Sequence, residues 1–419
     1  MTLPSIALVV PAYERPGGVA RVSTFLYRAI SGSGRFAVDL ISIADSHCDL
    51  DSVGMLRPTT WLRGVRISEG TSGDLRFKHV GCYLAELEFT RYLPGQRLTH
   101  LLKQYDLVQV VAGAPAWTLA ASRCGRPVCL QVATLVNVER LSLLRRARGV
   151  YRVWRLLMTR VTTMLEQMAL RRVRTVFVEN EWMKEHCRRA VPKSDVIFAP
   201  PGVDTSFFFS AEYQTDGYVL SVGRFGDIRK NVRLLLVAYA RLRQLMPEAP
   251  PLVLAGASAP PSEDWAWATA RGLDAYVQVH TGVSEDELRG LYRGASQFVL
   301  PADEEGLGLV ILEAMACGLA VISTATAGAA VSISDGSTGI LTPIGDPEAM
   351  ALAMYRLAQD RELRFRLGHN GRQRVEEKFS FAVAARPFLE AYERLLGVSG
   401  SSAVGIPTFG RAGVGSDER

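Results

Sequence analysis

Four charged residues in the second half of the chain have the types and spacing to handle a phosphorylated, hydroxyl-rich molecule. In PADEEGLGLVILEAMACGLAVIS, residues 301–323, Glu305 lies in a polar loop and Glu313 eight positions on, within a helical pattern that Gly318 ends. Between them Gly306, Leu307, Gly308 and Leu309 form a glycine-rich turn, where the backbone can come close to a ligand. Upstream, in VGRFGDIRKN, Arg224 and Lys230 follow a strand-like run. A guanidinium fork and an ammonium point charge at the end of a parallel strand suit a pyrophosphate. Carboxylates beside them accept hydrogen bonds from hydroxyls, so the set describes a nucleotide joined to a polyol. The same letters also fit a strand–helix–strand unit with acidic residues at the helix N-terminus. Arg229 and Arg233 read as surface charge around an isolated basic pair.

The elements that must carry these residues alternate. Apolar strand-like runs fall at 6–10, 36–43, 107–111, 128–132, 175–178 and 196–199, and helical spacing separates most of them, including 19–30, 118–123, a long stretch at 141–172 and 182–190. Gly17 and Gly18 lie between the first strand and the first helix, in a turn whose amides can face a phosphate. Residues 69–104 show no clear period. PPGVD, residues 200–204, breaks the pattern, and a boundary is placed near residue 210. Strand-like runs resume at 218–222, 252–255, 277–280 and 297–300. A capping box begins at Ser284, and Asp346 with Pro347 starts a helical pattern running to about 396. This alternation predicts an α/β protein with parallel sheets wrapped by helices. The expected division is a Rossmann-like N-terminal domain at 1–210, a second Rossmann-like domain at 211–378, a C-terminal helix at 379–396 packing back on the first domain, and a disordered Gly/Ser-rich tail at 397–419.

At 419 residues, 48% of them apolar, the chain has material for two full cores and is not a disordered protein. Cys48, Cys82, Cys124, Cys129, Cys187 and Cys317 lack metal-type spacing and read as reduced thiols of a cytoplasmic protein. The N-terminus lacks the basic region of a signal peptide, and no long apolar run is free of charge, so no membrane span is expected. The net charge of +6 is concentrated in residues 140–174, where arginines from Arg140 to Arg174 are opposed by Glu139 and Glu166. No nucleic-acid motif accompanies them, and no nucleic-acid partner is expected. The stretch suits an anionic acceptor or a peripheral contact with an anionic membrane at its inner face, or simply a solvated helix.

With these motifs assembled, the chain resembles the retaining glycosyltransferases of family 4. The resemblance rests on Gly17-Gly18, PPGVD, VGRFGDIRKN, the strand, capping box and Leu288–Tyr292 run, EEGLGLVILEAMACG with its Glu-x7-Glu, and SDGSTGIL at 334–341, and it covers the chain to about residue 396. It implies a GT-B fold, two Rossmann-like doubly wound parallel-sheet domains facing across a cleft. It also implies a nucleotide-sugar donor and no metal or other cofactor. On this resemblance Arg224 and Lys230 hold the donor diphosphate, Glu305 takes hydroxyls of the sugar, and Glu313 takes the ribose diol. The amides around Leu307, Gly308 and Leu309 approach sugar and phosphate, and Gly17 and Gly18 close on the phosphate from the other domain. Arg224, Lys230 and Glu305 are the expected catalytic residues. Asp49-Leu50-Asp51 spells the DxD of metal-dependent transferases without other support.

The acceptor domain departs from the pattern. The family commonly has a histidine where PVCLQVA places Ala133, and Gln131, Asn137 or Glu139 are the candidates to replace it. A donor lacking the hydroxyl that this histidine binds, such as a 6-deoxy sugar packed on Ala133, is the other explanation. Pro201 stands where Asn is usual, Leu307 where Phe is usual, and Val331 where many members have Glu. The expected function is transfer of a hexosyl or deoxyhexosyl group to a natural-product, lipid-linked or surface-polysaccharide acceptor. The alternative is a degenerate transferase that binds nucleotide or a partner without turnover. An NAD enzyme lacks its glycine fingerprint here.

Overall fold

The computed structural model describes residues 3–15, 17–210 and 217–398. Two sheets organise them. The first has eight strands: β1 (Ser5–Pro11), β2 (Ala37–Ile43), β3 (Ile67–Ser72), β4 (Leu75–Val80), β5 (Leu107–Ala112), β6 (Val128–Val132), β7 (Thr175–Val178) and β8 (Asp195–Phe198), in the order β3-β4-β2-β1-β5-β6-β7-β8. All pairs are parallel except β3 with β4. β1, β5, β6 and β7 are covered on both faces, which is why they read as continuous apolar runs rather than alternating ones. The second sheet has six parallel strands: β9 (Tyr218–Arg224), β10 (Leu252–Ser258), β11 (Val277–Thr281), β12 (Ala295–Leu300), β13 (Ala320–Thr324) and β14 (Ile340–Thr342), in the order β11-β10-β9-β12-β13-β14. These two parallel sheets with their helices are the α/β, GT-B architecture expected from the sequence.

Four stretches differ from expectation. Residues 69–104 contain the β3–β4 hairpin, a 3-10 turn at Glu88–Tyr92 and the helix Gln96–Leu102; the hairpin edge is half-exposed, so its apolar pattern is weak. The long helix expected at 141–172 is two pieces, Leu141–Arg146 and Gly149–Leu170, preceded by the short Val136–Glu139 and interrupted where Gly149 takes a positive φ of 57°. The segment 118–123 lies largely in a 3-10 helix, Pro115–Ala121. Similarly, the pattern from 347 to 396 is three helices, Pro347–Gln359, Arg361–Lys378 and Phe381–Leu396, with Asp360 capping the second through Leu363 N at 2.8 Å.

The last helix belongs to the core of the first sheet. Phe388 packs between Phe25 and Phe177, and Tyr392 Oη donates to Gln109 Oε1 of β5 at 2.9 Å. Gly202 sits against this crossing: a side chain there would begin 2.7 Å from Ala384 Cβ and from Phe379 O. Residues 211–216 and 399–419, which include the inter-domain linker and most of the expected tail, lie outside the described residues.

Candidate active site

In each sheet the first strand is flanked by strands reached through crossovers in opposite directions. A crevice at the carboxyl ends of such strands is where doubly wound sheets bind ligands. In the second sheet this point lies between β9 and β12. Arg224 ends β9, Lys230 lies in the short 3-10 turn Ile228–Lys230, and the Glu304-Glu305-Gly306 turn follows β12. Lys230 Nζ and Glu305 Oε2 are paired, both about one-sixth exposed. Arg224 is half-exposed and bonds Asp227 at 3.3 Å. A side chain at Gly17 would begin 3.3 Å from Arg224 Nη1, so the first domain's glycine turn rests on this guanidinium.

Gly308, at φ 80°, turns the chain into the helix Leu309–Ala316, which carries Glu313. Glu313 is 4% exposed and has both oxygens engaged. Arg21, on the helix Gly18–Gly32 of the first domain, pairs with Oε1, and Tyr292 Oη donates to Oε2 at 2.8 Å. The Glu313 charge holds the Arg21 guanidinium further above its ordinary range. Burial, helped by the same charge, keeps the Tyr292 phenol protonated far above its usual pKa.

Gly306 meets the first domain directly. A side chain there would begin 2.8 Å from Ala133 Cβ and 3.3 Å from Glu179 Oε2. Asn180, the N-cap of the helix Glu181–Ala190, donates to Gly306 O at 3.0 Å. A second bridge runs through Arg229, which bonds Asp227 through two nitrogens at 3.1 and 2.8 Å, Glu304 at 3.0 Å and Glu139 of the first domain at 3.3 Å. Burial raises the Glu304 pKa, and the Arg229 charge opposes that rise.

The structure thus brings Gly17, Arg224, Lys230, Glu305, Gly306, Leu307, Gly308, Leu309 and Glu313 to one cleft, with Gly18 opening the helix that carries Arg21. The candidates for the missing histidine separate. Gln131 is buried against Glu179, with Nε2 donating to Oε1 at 3.1 Å. Glu139 pairs with Arg229, whereas exposed Asn137 accepts from the amide of Val138 at 2.9 Å. Leu307 is buried, so its backbone rather than its side chain faces the turn, and its carbonyl accepts from Ser332 Oγ at 3.1 Å. Arg229, read from the sequence as surface charge, is instead a largely buried cross-domain tie, its side chain 18% exposed. Arg21, Glu179, Asn180 and Tyr292 were not legible as site residues. Arg21 had a signal, as a cation one helical turn after Gly17-Gly18, and Tyr292 ended the Leu288–Tyr292 run that the resemblance includes.

Asp49 and Asp51 serve the first domain, with Asp49 on His79 Nε2 at 2.8 Å and Asp51 on Ser68 and Arg66. Among the described residues no three His, Cys, Asp or Glu side chains gather into a metal-binding group, and no helix is long and apolar enough to cross a membrane.

Residues 203–374, which carry Arg224, Lys230, Glu305 and Glu313, match the family described as glycosyl transferases group 1. This part of the chain is a group 1 glycosyltransferase domain. The family resemblance read from the motifs is borne out by it. Phosphatidyl-myo-inositol mannosyltransferase of Mycolicibacterium smegmatis is 28% identical over 211 residues, 49% of this chain and 53% of that protein. The chain spans 26% to 53% of the length of the first three curated relatives it matches. Two solved structures share the whole architecture around the group 1 domain. Sucrose-phosphate synthase from Thermosynechococcus elongatus superposes with a TM-score of 0.70 at 20% identity, covering 94% of this chain and 100% of that one. HepE of Anabaena, solved with UDP and glucose, gives 0.67 at 15% identity, over 93% of this chain and 100% of that one.

Proposed function

We propose that the chain is a retaining glycosyltransferase moving a sugar from a nucleotide-sugar donor to an acceptor held by the first domain. The carrying observation is the convergence of Arg224, Lys230, Glu305 and Glu313 at the switch point of the second sheet, opposite Gly17. HepE, which shares the fold, was solved with UDP, and a nucleoside diphosphate fits the same arrangement of charges. Donor entry exchanges partners. The diphosphate takes Arg224 and Lys230, releasing Glu305 to hydroxyls of the sugar. The ribose diol takes Glu313 in place of Arg21, while Tyr292 keeps the carboxylate oriented.

As the bond from the anomeric carbon to the β-phosphate oxygen breaks, negative charge grows on the phosphate and positive charge at the carbon. Arg224, Lys230 and the glycine-turn amides are fixed where the negative charge grows, so they stabilise the transition state more than the ground state. The acceptor oxygen bonds the anomeric carbon on the face being vacated, and its proton passes to the departing phosphate. Two cations supply the neutralisation, and the proposed reaction uses no metal.

The acceptor is of the natural-product, lipid-linked or surface-polysaccharide kind. A cavity of about 140 Å³ at the carboxyl ends of β2 and β4, lined by Val65, Leu84, Leu93 and Leu98 with Arg91 and Arg97, suits one with an apolar part and an anionic group. On the helix Gly149–Leu170, Val150, Val153 and Trp154 are 87%, 67% and 52% exposed among arginines. Such a face suits the interface of an anionic bilayer and a peripheral site at the inner membrane face. A thermal-shift screen of nucleoside diphosphates and their sugars tests the donor reading, because a bound ligand stabilises the fold by mass action. One nucleotide is expected to raise Tm and Lys230→Ala to slow turnover about a hundredfold or more; nucleotide binding with no turnover in the wild type supports the degenerate alternative.

A further inference from the structure

One carboxyl at the cleft has no part in the mechanism above. Glu179 follows β7 at the carboxyl edge of the first sheet and is 5% exposed. Gln131, on neighbouring β6, holds its Oε1 at 3.1 Å. Its Oε2 has no hydrogen-bond donor among the described residues and points at the Glu305-Gly306 turn, 3.3 Å from where a Gly306 side chain would begin. The Gln131 carbonyl oxygen is buried without a donor. Capping of the following helix falls to Asn180, so Glu179 is not needed for that. A buried amide oxygen without a donor costs stability, and with a mostly buried carboxyl open towards the same cleft it points to a ligand.

We propose that Glu179 Oε2 accepts a hydrogen bond from a hydroxyl of the transferred sugar, so that carboxylates of the two domains, Glu179 and Glu305, grip the ring from opposite sides. This rests on the glycosyltransferase reading. The ring enters as the domains part by its width, between Glu179 and the glycine turn, and Gly306 lacks the side chain that would obstruct it. Gln131 fixes the carboxyl from behind. The small Ala133 beside Gly306 leaves Glu179 as the carboxyl on that wall, with the Asn180 amide engaged by Gly306 O.

The test separates sugar recognition from nucleotide recognition. UDP, GDP and dTDP, and their glucose, mannose and rhamnose conjugates, are titrated into the full chain by calorimetry. The best conjugate is then compared with its own nucleoside diphosphate in Glu179→Ala and Glu179→Gln. The gain in affinity from the sugar is expected to fall at least tenfold in Glu179→Ala and at least threefold in the isosteric Glu179→Gln. The nucleoside diphosphate Kd should stay within twofold, since Arg224, Lys230 and Glu313 are intact. An unchanged gain in both folded variants, or a parallel loss of nucleoside diphosphate and conjugate, overturns the assignment. Failure of every nucleoside diphosphate to bind the wild type instead overturns the glycosyltransferase reading beneath it.

Discussion

Lys230 and Glu313 illustrate how the resting cleft satisfies its own charges. Each is neutralised by a partner, Glu305 and Arg21, that must give way to the donor. Lys230→Ala is expected to slow transfer about a hundredfold or more, the cost of losing one charge aimed at a developing anion. Glu313→Gln is expected to weaken nucleoside diphosphate binding about tenfold, read by calorimetry, because a charged acceptor is lost. A third prediction concerns Glu166, which is buried and accepts from Val136 N at 3.0 Å. Burial pushes its carboxyl up from 4.5 to about 8. With the folded pKa above the unfolded one, its contribution to stability is fully present below about pH 4.5 and is lost as pH rises towards 8. Glu166→Gln should therefore gain on the wild type between pH 5 and 8 by on the order of 2 kcal/mol, in urea unfolding. At this scale the second domain's charged residues were legible because their spacing along strand ends is fixed by one local fold. Arg21 and Arg229 were not, because each takes a partner from the other domain, Glu313 and Glu139; Glu179 was not, because its partner Gln131 lies on a neighbouring strand 48 positions away.

Among the elements, the helix Phe381–Leu396 shows the reach of periodicity. Its helical spacing is plain in the sequence, but the break at Asp360 and the start after Ser380 are local capping events inside one continuous pattern. The β3–β4 hairpin was illegible for a different reason: an edge with one half-solvated face carries little apolar alternation. Phe388→Ala removes a ring that is fully buried between Phe25 and Phe177. A loss of about 3–5 kcal/mol is expected, measured as a lowered urea midpoint, if this helix is integral to the first domain. A change under about 1 kcal/mol would show it to be an appendage.

For the whole molecule, the cleft is a contact between two separately built sheets, and no pattern within either sequence half encodes it. The parallel sheets were readable from alternation, whereas the direct approach of Gly306 to Ala133 was not. The basic, apolar face of the helix Gly149–Leu170 belongs to this scale as well. Sedimentation with vesicles containing anionic lipid should pull down the protein and weaken on adding salt, as screening requires. Trp154→Ala should weaken it further, and indifference to lipid charge would remove the membrane contact.

The most direct measurement is titration calorimetry of UDP, GDP and dTDP into the wild type and Arg224→Ala. The glycosyltransferase account predicts that at least one binds the wild type and that the variant binds it at least tenfold more weakly. Binding of none of the three to the wild type, or equal affinity in the variant, would contradict it.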